Sequence, residues 1–595
     1  MPQGWLQIAI FVIVLVALTP LLGGYMARVY MGETVLLERV FGRFERLLYR
    51  GLRVDVSENQ DWKRYARSMV VFSLGGFLLM YVILRTQTIH PFANYGGVTF
   101  HAMPWDVTFN TVSSFVTNTN WQFYGGETSL TYFSQMTGMT VQNFLSAAVG
   151  MIVVIAMIRG IIARSGNGLG NFWQDLVRTV LYILVPLAVI GTVLLVSQGV
   201  IDNFAHYTIA HTLTGGTQLI AQGPVASQIV IKQLGTNGGG FFNTNSAYPF
   251  ENATTFSNFV EVLFIILIPS ALTYTFGRMV GSRRQGWAIF AAMLVLWLGL
   301  VAVAYTAEQH GTPAQHAAGV STTAIAGSTG GNMEGKEQRF GIANSALWAA
   351  TTTVTSNGSV NSSLESFTGL GGAVPLTGLG MSEVVFGGVG SGLYGMLVFV
   401  LLAVFIGGLM VGRTPEYLGK KIQAREIKLV SLAALFTPLP VLLTTGLSIA
   451  TPAGRASISS AAATGPQGFS ETLYAYMSQA NNNGSAFAGF DGYNQAAAGN
   501  LTSTAGVHSA GVAFADMLGS FTMLFARFIP MLLVLAIAGS LAGKKIAPAG
   551  PGTMRTDTPT FVVLLIFVII LVGALTFLPA LLLGPIVQSL TNHLF

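Results

Sequence analysis

Ten apolar runs, each about 17 to 29 residues long, dominate this 595-residue chain, and each has the length of a membrane-crossing helix. They lie near 5–27, 68–84, 137–158, 179–201, 257–277, 285–307, 388–412, 429–450, 517–543 and 558–586. Only 9% of the residues are charged, against about 25% in a soluble domain, so the runs read as spans. The expected fold class is an all-α polytopic membrane protein with ten transmembrane helices. The opening "MPQGWLQIAIFVIVLVALTP" has no basic residue before Arg28, which favours a retained first helix over a cleaved signal peptide.

The 29 Lys and Arg are placed unevenly. Loops after the odd-numbered runs hold Arg28, Arg39, Arg43, Arg46, Arg50, Arg53, Lys63, Arg64 and Arg67, then Arg159, Arg164 and Arg178, then Arg278, Arg283 and Arg284, then Arg413, Lys420, Lys421, Arg425 and Lys428, then Lys544, Lys545 and Arg555. The alternate loops hold only Arg85, Lys232, Lys336, Arg339 and Arg455, and Arg527 lies inside a run. Basic loops mark the cytoplasmic face, so both termini are expected outside. The chain has no Cys, which excludes disulfides and thiol chemistry. Its eight His (90, 101, 206, 211, 310, 316, 508, 593) fall in the expected outside regions without metal-ligand spacing. Loops near 310–332, 452–468 and 490–512, rich in Ala, Gly, Ser and Thr, read as flexible surface insertions.

Four outside loops share a short phrase: "TNTNWQ", "TNGGGF", "SNGSVN" and "NNGSAF". Aligned as triplets, they are Asn118-Thr119-Asn120, Thr236-Asn237-Gly238, Ser356-Asn357-Gly358 and Asn482-Asn483-Gly484. The third positions, 120, 238, 358 and 484, are spaced by 118, 120 and 126 residues, an internal repeat. Before each triplet stands a mildly apolar stretch too short to span: 106–116, 224–234, 342–354 and 469–480. These are expected to be half-helices that enter from outside and turn back, with Pro224 as first residue of the second. Non-helical backbone at membrane depth is tolerated only where it lines a cavity. Four helix C-termini would then aim partial negative charge at one point. Glycines would let carbonyls turn inward through φ values closed to other residues. A ring of carbonyls can replace the hydration shell of potassium. The expected organisation is an N-terminal helix (1–30), four pseudo-symmetric helix–pore loop–helix units (60–165, 170–284, 285–425, 426–545) and a C-terminal helix (556–595). Gln122, Gly239 and Gly240 are expected to support the filter.

The phrases "TNTNWQ", "LGTNGGGFFNTNSAYPFENAT", "GLMVGRTPEYLGKKI" and "NNNGSAFAG" make the chain resemble, over nearly its whole length, the potassium-binding A subunit family of Kdp-type potassium-transporting P-type ATPases. The outside loops are longer than is usual there. Asn357 stands where some members carry Cys, and Asn120 replaces glycine as in that family's first unit. The resemblance implies that K+ is the transported ion, held from outside by the twelve triplet residues and passed sideways to an ATP-hydrolysing partner. It implies a catalytic B subunit of the P-type ATPase kind, an accessory C subunit, a small single-helix protein as a further candidate, and surrounding membrane lipid. It implies no nucleic acid, and a bacterial or archaeal plasma membrane. No "DKTGT" and no G-x-x-x-x-G-K-[ST] motif occurs, so no ATP site or catalytic residue is expected in this chain. Its longest cytoplasmic segment, about 28 to 67, is too short for a nucleotide domain.

Gly390, Gly392 and Gly395 form a formal G-x-G-x-x-G, but an apolar run follows in place of a βαβ unit. Gly387, Gly388, Gly390 and Gly392 fit close helix packing, or a break that gates the pore floor, with Glu383 facing the cavity. Arg527 would repel a cation or pair with a carboxylate such as Glu261. Lys232 is expected to snorkel to the surface, with a local positive charge modulating the entrance as the alternative. A self-sufficient potassium channel or ion-coupled transporter is the alternative within the same pore class. A membrane-anchored oxidoreductase component lacks the paired intramembrane His that haem would need.

Overall fold

The apolar runs become helices, several of which start at polar caps. The computed structural model describes residues 2–590 except 96–97, 165, 326–328, 382, 456–464, 491–509, 549 and 551–552. Its principal helices are α1 (Pro2–Tyr30), α2 (Glu38–Gly51), α3 (Trp62–Arg85), α4 (Trp105–Val116), α5 (Ser134–Ile162), α6 (Phe172–Ser197), α7 (Val225–Leu234) and α8 (Thr255–Met279). They continue as α9 (Arg283–His310), α10 (Gly341–Val354), α11 (Gly369–Gly380), α12 (Ser391–Met410), α13 (Ala424–Ala450), α14 (Gly465–Ala480), α15 (Ala510–Ala542) and α16 (Pro559–Leu581). Ten helices among the described residues are long and apolar enough to cross a membrane, and the ten expected runs fall on them.

Caps explain two of the boundaries that differ. α3 begins at Trp62 because the Asp61 carboxylate accepts the Arg64 N–H at 2.8 Å, which adds a polar turn below the apolar run. α8 starts in a capping box between Thr254 and Ser257. Pro224 precedes α7 as its N-cap, one residue before the expected place. The loop expected over 28–67 contains α2, which charge reading missed. Val40, Phe44 and Leu47 form its exposed apolar stripe, and buried Glu45 accepts the Tyr49 and Tyr182 hydroxyls at 2.8 and 2.5 Å.

The apolar windows of α5 and α8 are 83% and 89% buried, whereas those of α1, α3, α13 and α16 are 28% buried. The first pair is therefore central and the others form the rim. α1 lies along α8, α9 packs on α8 and α10, and α15 packs on α4, α5 and α13. In lipid, helices gain little from hydrophobic exclusion and associate through close backbone approach. Gly160 of α5 shows this, since a Cβ there would lie 2.5 Å from the Ala538 carbonyl of α15. The surface insertion expected at 490–512 lies almost wholly outside the described residues, as does much of that at 452–468.

Candidate functional site

Four short helices end at the four triplets, on the half-helices expected there: α4 before 118, α7 before 236, α10 before 356 and α14 before 482. Each ends in the same way. The first triplet residue is left-handed: Asn118 φ +71°, Thr236 +48°, Ser356 +52° and Asn482 +54°. The second donates its N–H back to the helix, Thr119 to Ser114, Asn237 to Lys232, Asn357 to Thr352 and Asn483 to Ser478, at 2.7–3.0 Å. This is the Schellman closure, which satisfies an orphan carbonyl and stops the helix.

The expectation that glycine supplies the positive φ values holds at two third positions and fails over Gly238–Gly240. The left-handed residue common to all four turns is the polar non-glycine first one, Asn tolerating that conformation best. Gly358 and Gly484 also have positive φ, as does Asn120 in the equivalent place, but Gly238, Gly239 and Gly240 do not. Gly238 is required for another reason. A Cβ there would lie 2.6 Å from the Asn483 carbonyl and 2.7 Å from the Asn357 carbonyl. Gly239 similarly faces the Phe115 ring and Gln122 Oε1, at 2.7 and 3.1 Å from such a Cβ, and Gly240 faces Asn245 Nδ2 and the Phe242 carbonyl, both at 2.7 Å. Gln122 itself donates to the Tyr124 hydroxyl at 3.2 Å.

The four turns touch in a closed circuit. Asn118 Nδ2 donates to the Thr236 carbonyl at 3.0 Å, and Asn237 Nδ2 to Asn118 Oδ1 at 2.7 Å. Asn357 Nδ2 donates to the Asn237 carbonyl at 3.0 Å. Asn483 Nδ2 donates to the Thr352 carbonyl at 2.7 Å, and Asn482 Nδ2 to Thr119 Oγ1 at 2.9 Å, which returns to the first turn. Ser146 braces the circuit from α5 by donating to Asn118 Oδ1 at 2.8 Å. All twelve triplet residues are thus brought to one place.

Two cavities adjoin the circuit. One of about 670 Å3 is lined by the third residue of all four triplets, Asn120, Gly238, Gly358 and Gly484, together with Gln122. A smaller one, about 50 Å3, is lined by Asn482, Glu383, Ser391, Tyr394 and Arg527. The chain between α11 and α12 is broken beside it, with Glu383, Phe386, Gly387 and Gly390 left-handed and the helix resuming at Ser391. Gly392 lies inside the first turn of α12 and not in the break. The break touches the circuit, for Val389 N–H donates to Thr236 Oγ1 at 2.9 Å, and a Cβ on Gly388 would reach Thr236 Oγ1 at 3.5 Å. Arg527 donates to Asn482 Oδ1 at 3.4 Å; Glu261 instead accepts from Gln233 and Ser246, at 2.9 and 2.8 Å. The expected surface Lys232 is wholly buried, paired with Glu251 at 2.7 Å. A lone Lys in a short apolar helix gives no sign of a partner nineteen positions on.

Membrane-length helices enclosing a buried circuit of turned polar backbone define a multi-pass membrane protein of the ion-transporting class. Comparison with known proteins narrows this. Residues 9–590 match the family described as the potassium-transporting ATPase A subunit. The chain is 52% identical over 597 residues to the potassium-transporting ATPase potassium-binding subunit of Sorangium cellulosum, covering 99% of each chain. It is 52% identical to that of Rhodospirillum centenum, covering 99% of this chain and 98% of the relative, and 51% identical to that of Mycobacterium tuberculosis, covering 99% of each. The chain belongs to the potassium-transporting ATPase A subunit family.

Proposed function

We propose that this chain is the potassium-binding and translocating component of an ATP-driven uptake complex. The single observation that carries the reading is the cavity of about 670 Å3 lined by the third residue of every triplet. An ion coming from outside reaches that vestibule, sheds water and is held by carbonyls of the four turns, which act as a selectivity filter. Side-chain amides of the neighbouring turns hold the Thr236 and Asn237 carbonyls in place, so the second turn need not reorganise around each ion. The four helix–pore loop–helix units between the terminal helices supply one turn each.

Beyond the filter the ion meets Arg527 and Glu383 in the smaller cavity. The guanidinium opposes straight passage of a cation, and the broken segment 383–390 forms the pore floor. The cavity extends between α12, α13 and α15 through Val398, Ala433 and Val534, and this is the sideways route to a partner. That partner is the catalytic P-type ATPase, which hydrolyses ATP, with an accessory protein completing the complex in a bacterial or archaeal plasma membrane. The relatives' shared name as the potassium-binding subunit of an ATPase supports this division of labour.

The test is to purify this chain alone and with its complex. Potassium-stimulated ATP hydrolysis is expected only in the complex, and potassium-dependent thermal stabilisation in both. ATPase activity from the isolated chain, or potassium flux through it alone in vesicles, would refute the reading; the second result would identify a self-sufficient channel.

A further inference from the structure

A buried ammonium stands behind the second turn. Lys232 and Glu251 have no exposed side-chain surface and are 2.7 Å apart. Lys232 Nζ also donates to Asn245 Oδ1 at 2.6 Å, and Asn245 Nδ2 donates to the Gly238 carbonyl at 2.8 Å. The second Glu251 oxygen accepts the Phe242 N–H at 2.8 Å. The backbone carbonyl of Lys232 accepts the Asn237 N–H at 2.7 Å. The stretch from 237 to 251 is therefore wound round one ammonium and its counter-charge.

Such an arrangement needs a reason. A buried ion pair is seldom a gain in stability over apolar side chains of the same volume. Gly238, Gly239 and Gly240 carry no side chains with which to fix their own backbone. The third and fourth triplets fix themselves, since Asn357 Oδ1 accepts the Ser359 N–H at 2.9 Å and Asn483 Oδ1 accepts the Ser485 N–H at 3.0 Å. The second turn has glycine where those serines stand and is held from behind instead.

We propose that Lys232 and Asn245 are positioning residues for the ion site. The ammonium fixes the Asn245 amide, the amide fixes the Gly238 carbonyl, and Glu251 cancels a charge that would otherwise repel the cation. This rests on the reading of Gly238 as a filter residue. Discrimination between two similar ions is a difference in how well one ring fits each, so a loosened carbonyl lowers selectivity before it abolishes transport. Asn245 has φ +56°, a conformation open to Gly and Asp but strained for Ala, which dictates the variants.

The experiment uses the whole complex purified through a tag on this chain, with ATPase stimulation titrated by potassium and by rubidium. Asn245→Gly removes the amide, and Lys232→Met with Glu251→Gln removes both charges together. Each is expected to raise half-saturating potassium by roughly fivefold to tenfold, the worth of one hydrogen bond, and to narrow the potassium-to-rubidium ratio. Gly238→Ala is measured beside them. If Gly238→Ala changes the ratio and the assembled Asn245→Gly complex does not, the positioning role is overturned while the filter stands. If neither changes it, the filter reading falls and this proposal with it. Should Asn245→Gly fail to assemble, Asn245→Asp keeps the shape, replaces the donor with an acceptor, and decides the matter by the same ratio.

Discussion

The Thr236 hydroxyl accepts the backbone N–H of Val389 at 2.9 Å, joining the second turn to the broken segment 153 residues further along. Thr236→Ser keeps this acceptor and is expected to be near wild type. Thr236→Val keeps the shape and strands a buried N–H, which costs about 1–3 kcal/mol. The valine variant should melt at lower temperature and need more potassium for half-maximal ATPase stimulation. Indistinguishable serine and valine variants would show that the contact carries nothing.

Gly238 is expected to be the most sensitive triplet position. The obstacle to a larger residue is the pair of facing carbonyls, Asn483 and Asn357, at 2.6 and 2.7 Å from an added Cβ. Gly238→Ala should weaken apparent potassium affinity. Gly238→Asp should admit other monovalent cations, because it brings a fixed charge beside those oxygens. Transport assays with potassium and rubidium read both effects, and wild-type discrimination in a folded Gly238→Asp variant would remove Gly238 from the ion site.

Glu127 gives stability a pH dependence. Burial pushes its carboxyl up to about 7, only partly offset by backbone N–H groups including that of Asn243 at 2.9 Å. A folded state that holds a proton more tightly than the unfolded state loses stability as pH rises, here between about 4.5 and about 7. The melting temperature should fall across that window, and Glu127→Gln should flatten the fall. An equal slope in both proteins would assign the dependence to another group.

Orientation is testable with little background because the chain has no Cys. Ala318 and Lys421 are both exposed, and they are expected on opposite faces. In intact cells a membrane-impermeant maleimide should label Ala318→Cys and spare Lys421→Cys. The reverse pattern would invert the proposed direction of transport.

Much of this is legible in the sequence, for identifiable reasons. The spans follow from apolar length, and the short helices α4, α7, α10 and α14 from apolar stretches too brief to cross. The turns fall where the repeat places them, but glycine is not their cause. Glycine draws attention as the residue of positive φ, while the residues that adopt it in every turn are Asn118, Thr236, Ser356 and Asn482, polar side chains at helix ends. Long-range pairing leaves no local mark. Nothing near Lys232 announces Glu251, and nothing near Arg527 announces Asn482, because both contacts depend on how distant segments are folded together. α2 is hidden in a stretch that charge alone describes poorly, although Val40, Phe44 and Leu47 already carry a helical period.

The contact between Asn482 and Thr119 spans 363 residues. A ribosome adding roughly 5 to 20 residues per second needs about 20 to 70 s to synthesise that interval. For that time the first turn stands in the bilayer with its last neighbour not yet made, and no nascent chain shorter than the fourth turn can complete the circuit. If the circuit is the proposed ion site, a chain that stops before Asn482 leaves it open on one side and so cannot be selective.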